Sequence, residues 1–205
     1  IRSCLVGSEM CIRDRQSNRT FSEYLDTWLI ETGFIRCMAD PCLYKQSNAA
    51  LWVLIYVDDL LIVGPRTQVD MFKKTISAKF NMKDLGPVHW YLGMEITRDR
   101  SAKTMQVSQS QYLKNVLDRF QMTECHPKTS PFPTGLQLER STDKTTDYPY
   151  RQLVGCLLYA AKGTRPDIAH AVGILTRHLV APTNHHVNAA KHVMKYINGT
   201  IDKCI

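Results

Sequence analysis

The seven cysteines of this 205-residue chain form no C-x-x-C pair and keep no regular spacing. That pattern excludes a zinc ribbon and a disulfide scaffold, and points to reduced intracellular thiols. No apolar run reaches the roughly 18–20 residues that a membrane-spanning helix needs. The longest, Leu60 to Gly64 with the strand before it, is interrupted by two aspartates. The opening residues do not combine a charged start, an apolar middle and a small-residue cleavage site, so no secretory signal is expected in them. Leu92-Gly93 lacks the further glycines and the following Lys-Ser/Thr of a phosphate-binding loop. His185, His186 and His192 share one predicted helix, but the step from 186 to 192 misses the same-face spacing of three or four, so no zinc site is expected. Internal repeats are also missing.

What is present is an ordinary globular composition, 44% hydrophobic and 22% charged, with enough residues for one large domain or two small ones. Lys and Arg number 26 against 19 Asp and Glu, a formal net charge of +7, and the pI is about 9.1. A basic balance of this size favours a polyanionic partner, nucleic acid first; a merely basic soluble protein is the alternative.

Residues 1–15 stand apart. Leu5 to Arg15 (LVGSEMCIRDR) joins nothing that follows in pattern and reads as the in-frame translation of a transposase sequencing adapter. They are expected to be non-native and to stand in place of upstream sequence.

From Phe21 to Glu31 the apolar positions Phe21, Tyr24, Leu25, Trp28 and Leu29 follow helical spacing, and Gly33 is a helix stop. Cys42 to Lys45 reads as a short strand. Leu51 to Val57 and Leu60 to Val63 are rich in β-branched and aromatic residues and predict a hairpin with Asp58-Asp59 at its tip, ended by Gly64-Pro65. Val69 to Phe80 predicts an amphipathic helix with Met71, Phe72 and Ile76 inward. Trp90 to Thr97 and Thr104 to Ser108 predict a second hairpin, with Ser108 capping a helix from Gln109 to Phe120. Cys125 to Pro149, rich in Pro, Thr, Ser and Asp, reads as an extended linker over the surface. Helices are expected over 150–162, 166–179 and 184–197, with Pro166 and Pro182 at or just before helix starts. Mixed α/β followed by all helix suggests two subdomains.

Two adjacent carboxylates between apolar strands call for chemistry. Side by side they repel, and one is driven to take up a proton unless a cation sits between them. Hard oxygen ligands at a strand tip suit Mg²⁺, with Mn²⁺ as a substitute, and two such ions activate a hydroxyl nucleophile and stabilise a leaving pyrophosphate. A plain Asp-Asp hairpin turn is the alternative.

Tyr56-Val57-Asp58-Asp59 followed by Leu60-Leu61-Ile62-Val63-Gly64 resembles the catalytic hairpin of reverse transcriptases, and the chain more narrowly resembles the copia-type (pseudovirus) LTR retrotransposon enzymes. The likeness runs from about Gln16 to Thr200. It is carried by Gly33-Phe34 with Asp40-Pro41-Cys42-Leu43-Tyr44, by Met82-Lys83-Asp84-Leu85-Gly86 with Tyr91-Leu92-Gly93-Met94-Glu95-Ile96, by Gln109 to Met122, by Tyr150-Arg151-Gln152-Leu153-Val154-Gly155, by Thr164-Arg165-Pro166-Asp167-Ile168, and by Lys195-Tyr196-Ile197-Asn198-Gly199-Thr200. Each block is weak alone; their order and spacing are specific.

The resemblance implies an α+β fold: a polymerase palm, an antiparallel sheet with packed helices, over 16–108, then a helical thumb or connection region over 109–205 with the Pro-rich linker near 125–149. The fingers are largely missing. Asp58 and Asp59 are implied as metal ligands, and Tyr56 and Val57 as contacts to primer terminus and template. Trp90, Tyr91, Leu92, Gly93 and Met94 are implied as a primer-gripping hairpin, Lys83 as a proton donor to pyrophosphate, and Arg151 and Arg165 as phosphate contacts. For Lys83 a solvated surface lysine, and for each arginine a helix-surface or capping role, stays open. The implied partners are an RNA template, a DNA primer, dNTPs and the rest of a Gag-Pol-like polyprotein, with integrase upstream and RNase H downstream and no membrane. The implied location is cytoplasmic virus-like particles with nuclear access. The family's third aspartate, in a segment like D-V-K-x-A-F-L, does not occur before Tyr56; it is expected upstream of Gln16, and the chain alone is expected not to polymerise. A non-catalytic nucleic-acid-binding remnant of a decayed or domesticated element is the second reading. A generic two-aspartate hydrolase fits less well, because it calls for neither a gripping hairpin nor a helical thumb.

Overall fold

The computed structural model describes residues 10–57, 59–140 and 146–205, with side chains from Phe21 onward. Asp58 and residues 1–9 of the adapter-like segment therefore lie outside the described residues. The chain is mixed α+β with antiparallel sheets and divides into two compact units, one ending at Pro87 and one beginning at Val88. This division comes before the expected boundary at 108/109, so the residues from Trp90 onward fold with the helices that follow them.

In the first unit, helix α1 (Met10–Glu31) begins within the adapter-like residues rather than near Phe21, and Gly33 ends it at φ +89°. Its Leu25, Trp28 and Leu29, spaced as one helical face, are buried. Four strands follow in the order β1 (Phe34–Arg36), β2 (Leu43–Gln46), β3 (Trp52–Tyr56), β4 (Asp59–Val63), all antiparallel neighbours. The sequence pattern did not predict β1. Phe34, Tyr44, Val53 and Ile55 are buried beneath α1 and helix α2 (Arg66–Lys79), and Leu60 and Ile62 pack against the same core. Aromatic rings close this layer: Trp28 meets Phe80 edge-on at 5.4 Å, and Phe34 lies 5.2 Å from Phe72. Tyr44 donates to Asp26 Oδ1 at 2.5 Å, which ties β2 to α1. Phe72 and Ile76 face inward as expected, but Met71 is exposed, because it falls off the narrow stripe that Phe72 and Ile76 define.

Among the described residues, α1 and α2 pack on one side of this sheet. On the other side, Ile35, Trp52 and Val63 line one edge and are exposed; Leu43, Leu54 and Leu61 form the next row and are half-buried. The β3–β4 connection is a two-residue loop, Val57 and residue 58, because Tyr56 pairs directly with Asp59. Val57 has φ +53°, an unfavourable conformation for a β-branched residue. Gly64 ends β4 at a close approach: a Cβ there would stand 2.9 Å from the Ala50 carbonyl oxygen.

The second unit opens with a three-stranded meander, β5 (Trp90–Tyr91), β6 (Met94–Asp99) and β7 (Thr104–Ser108). The single strand expected over Trp90–Thr97 is instead broken at Leu92-Gly93, whose φ values of +51° and +75° make a tight turn. The chain end runs beside β7, where Val107 and Ile205 exchange N–H···O bonds of 2.8 and 3.1 Å. Helix α3 (Ser110–Arg119) is preceded by Gln109 at the cap position, not Ser108; the Ser108 hydroxyl instead accepts the Ser110 N–H in a local turn at 3.1 Å. Helices α4 (Tyr150–Gly163), α5 (Ala169–Thr176) and α6 (Asn184–Asn198) complete the core with Leu153, Leu157, Leu175, Val193 and Ile197. The helix expected over 166–179 is a 3₁₀ turn at Pro166–Ile168 followed by the shorter α5.

Arg165 organises this unit from the inside. It is fully buried, and its guanidinium donates to both carboxylate oxygens of Asp167 at 2.9 Å, to the Thr200 carbonyl at 3.0 Å and to the Thr200 hydroxyl at 2.6 Å. Tyr196 donates to the same carboxylate at 2.8 Å. The residues between α4 and α5 are thereby tied to the end of α6. The 125–149 segment carries no regular element among its described residues and is held along α6: His186 Nε2 meets the Glu139 carbonyl at 3.0 Å, His192 Nε2 the Ser130 carbonyl at 3.1 Å, and the Asn198 amide donates to the Cys125 carbonyl at 3.0 Å. His186 Nδ1 accepts the Thr183 N–H at 2.8 Å and so caps the first turn of α6. His186 and His192 thus serve as structural pins.

Arg165→Met removes the guanidinium that joins Asp167 to Thr200, leaving only Lys203 as a charge partner, 3.9 Å from the carboxylate, and is expected to cost roughly 2 kcal/mol in urea unfolding. Burial alone would raise the Asp167 carboxyl, but hydrogen bonds from Arg165 and Tyr196 and the charges of Arg165 and Lys203 outweigh it and hold the group below the usual carboxylate range. Its contribution is therefore complete above the unfolded value of about 4 and is lost as pH falls through the lower folded value. The stability difference between the native chain and Asp167→Asn is expected to shrink as pH falls below about 4; a difference that grew there would contradict the assignment. Val57→Gly relieves the left-handed strain and is expected to raise stability by about 1 kcal/mol, measured in the same way.

Candidate active site

Residues predicted as a site from the sequence fall in three places. The first is the β3–β4 hairpin. Directly opposed residues of an antiparallel ladder share a face, and alternation assigns the rest. With Val53, Ile55, Leu60 and Ile62 on the core side, Tyr56 and Asp59 share the other side with Leu54 and Leu61. Asp59 is exposed at the first position of β4, and Tyr56 and Val57 beside it are 53% and 61% exposed. Three of the predicted residues are thus gathered at one solvent-facing strand tip, with the position of Asp58 enclosed by them in sequence.

An exposed carboxylate with no ion-pair partner among the described residues fits a hard divalent cation as one oxygen ligand. No group of three His, Cys, Asp or Glu side chains converges among the described residues. Lys83, on the irregular segment after α2, is exposed.

The second place is the β5–β6 turn. Trp90 is 56% exposed, Tyr91 pairs with Met94 across the turn, and the backbone reverses at Leu92 and Gly93. Tyr159 of α4 donates its hydroxyl to the Leu92 carbonyl, and a Cβ at position 93 would stand 3.2 Å from that hydroxyl oxygen. Tyr112 of α3 meets the Tyr159 ring edge-on at 4.8 Å and donates to the Cys156 carbonyl at 3.2 Å. Tyr159 and Tyr112 thus support the turn from the helical layer. Neither was singled out from the sequence, since both read as ordinary helix aromatics.

The third place is the arginine pair, and here the structure separates the two. Arg151 is exposed on α4, with one long contact of 3.5 Å to the Leu179 carbonyl. Arg165 does not serve as a phosphate contact: it is buried, and its guanidinium is engaged by Asp167 and Thr200.

Residues 11–134 match the protein family described as reverse transcriptase (RNA-dependent DNA polymerase). The chain is 36% identical over 203 residues to the retrovirus-related Pol polyprotein from transposon TNT 1-94 of Nicotiana tabacum, covering 93% of this chain and 15% of that protein. It is 33% identical over 195 residues to the retrovirus-related Pol polyprotein from transposon RE2 of Arabidopsis thaliana, covering 92% of this chain and 13% of that one. An uncharacterized mitochondrial protein of Arabidopsis thaliana is 38% identical over 153 residues, 74% of this chain and 62% of the relative. The chain thus spans a small part of the polyproteins it matches. No solved structure matches. A family match over more than half of the residues, on a chain whose hairpin sets Tyr56 and Asp59 together on one sheet face, places it in the reverse transcriptase family, as part of a copia-type retrotransposon Pol polyprotein.

Proposed function

We propose that this chain contributes the catalytic hairpin of an RNA-directed DNA polymerase, within a palm-like first unit. The second unit, thumb-like, then contacts the primer–template. The observation that carries the reading is the exposed Asp59 on the sheet face opposite the core, next to a strained Val57 and paired across the ladder with Tyr56. Strain held at a strand tip is characteristic of functional sites.

In this reading Asp58 and Asp59 hold Mg²⁺, or Mn²⁺ in its place, with a further carboxylate from a strand outside this chain. The bound ions supply activation of a primer 3′-hydroxyl and stabilisation of the leaving pyrophosphate. Tyr56 and Val57 present an amphipathic, solvent-facing surface to the primer end. Trp90 offers an exposed ring and the Leu92-Gly93 turn offers backbone at close range, with Tyr159 holding that turn in shape. Lys83, exposed on the irregular segment after α2, is the proton donor to the leaving group in this reading. Arg151 supplies an exposed cation for the nucleic acid backbone. The substrates are a templated primer and dNTPs, and the wider setting is a Pol polyprotein like those of the relatives. Among the described residues no helix is long and apolar enough to cross a membrane.

Paramagnetic Mn²⁺ is expected to broaden the NMR signals of residues around 55–60 in the native chain, and to leave them sharp in an Asp58→Asn/Asp59→Asn variant. In the polymerase assembled with its upstream strands, Asp59→Asn is expected to lower primer extension on the order of a hundredfold or more, since even indirect metal supports cost 10–100-fold. The 205-residue chain alone is expected to give no template-dependent synthesis; synthesis by it would overturn the need for an outside ligand.

A further inference from the structure

A groove in the second unit has no role in the site described above. It lies between the 125–149 segment and the end of α5. Its two adjoining parts, of about 220 and 390 Å³, share Arg140, Arg177 and His178, with Ile174, Val180 and Leu138 among the apolar walls. No carboxylate lines it among the described residues. Arg140 and Arg177 are exposed and form no ion pair with a described residue.

His178 is different in kind. It is 7% exposed, yet its ring forms no hydrogen bond with a described residue while lining the groove. It stacks on His186 at 4.1 Å and 20°. His186 is itself fixed at both ring nitrogens, by Thr183 and by Glu139. The ring nitrogens are engaged by no described residue and open onto the groove, where a ligand can meet a ring already held in one orientation. Burial, His186 and the two arginines all push the His178 imidazole below its ordinary value. The ring lies between the two arginines of the groove. Arg151, contacting Leu179 one residue further on, adds a fourth basic group at the margin.

We infer that the groove formed by Arg140, Arg177 and His178 binds phosphate oxyanions, and that a nucleic acid strand supplies them. Guanidinium groups match phosphate oxygens in paired N–H···O geometry, and a groove lined by two arginines and, among the described residues, by no carboxylate concentrates polyanions. The phosphate chemistry stands on the groove alone; the choice of nucleic acid as its source rests on the polymerase reading.

The test follows the His178 ring signals by NMR in the full 205-residue chain, assigned by their loss in His178→Gln. Inorganic phosphate and a short DNA–RNA hybrid duplex are titrated separately at low salt. Both are expected to shift the His178 signals saturably and to raise its titration midpoint, with the duplex acting at far lower concentration. Arg140→Gln/Arg177→Gln is expected to abolish these shifts while leaving the His186 signals in place. It is also expected to lower the slope of log K against log salt by about 2, near 0.9 per phosphate contact. Duplex binding that leaves His178 unmoved, or that is indifferent to the double variant, overturns the groove and leaves the polymerase reading intact. A response to phosphate but not to the duplex overturns nucleic acid as the source. Failure of the duplex to bind anywhere on the chain counts against both.

Discussion

The register of the β3–β4 ladder is the constraint on which the candidate site depends. Tyr56 opposes Asp59, so the loop between them has two residues and no slack. A slip by one residue would turn Asp59 toward the core and carry Leu60 and Ile62 out of it. Burying an unpaired carboxylate costs several kcal/mol, so the aromatic layer of Trp28, Phe34, Phe72 and Phe80 holds the carboxylate outward by holding its strand neighbours inward. Packing on one side of the sheet thereby determines chemistry on the other.

The second unit rests on a polar centre. Arg165 is buried where most domains keep only apolar side chains, and Asp167 and Thr200 meet it from the side nearer solvent. A buried cation of this kind is tolerable only when its donors are matched, and here the guanidinium finds a carboxylate, a carbonyl and a hydroxyl. The arrangement joins segments that the hydrophobic pattern leaves unconnected. The same economy appears along α6, where His186, His192 and Asn198 use side-chain nitrogens to hold the carbonyls of a segment without strands or helices of its own. The groove at Arg140, Arg177 and His178 exists because that segment is held there.

Much of the element order was legible, for identifiable reasons. Leu25, Trp28 and Leu29 recur at helical spacing, the two β-branched runs flank an acidic tip, and Gly33 stops a helix. The misreadings share a cause as well. Met71 is apolar but lies off the buried stripe. The break at Leu92-Gly93 depends on Tyr159, a residue far along the chain. β1 is three residues long and exists by pairing with β2, which no local pattern announces. Arg165 sits in a block that reads as a phosphate-contacting surface; nothing in its immediate sequence says that Thr200 will close over it.

The sequence by itself determined the lineage: the Tyr56 to Asp59 motif and the ordered blocks that follow it belong to residue identity and spacing, which folding does not alter. It could not determine which way the carboxylate faces. Leu51 to Val57 and Leu60 to Val63 are apolar at nearly every position, so alternation, the usual guide to a strand's two sides, is absent. Only the tertiary structure decided that Val53, Ile55, Leu60 and Ile62 lie under the helices and that Tyr56 and Asp59 face away, because which apolar face is buried depends on where α1 and α2 pack.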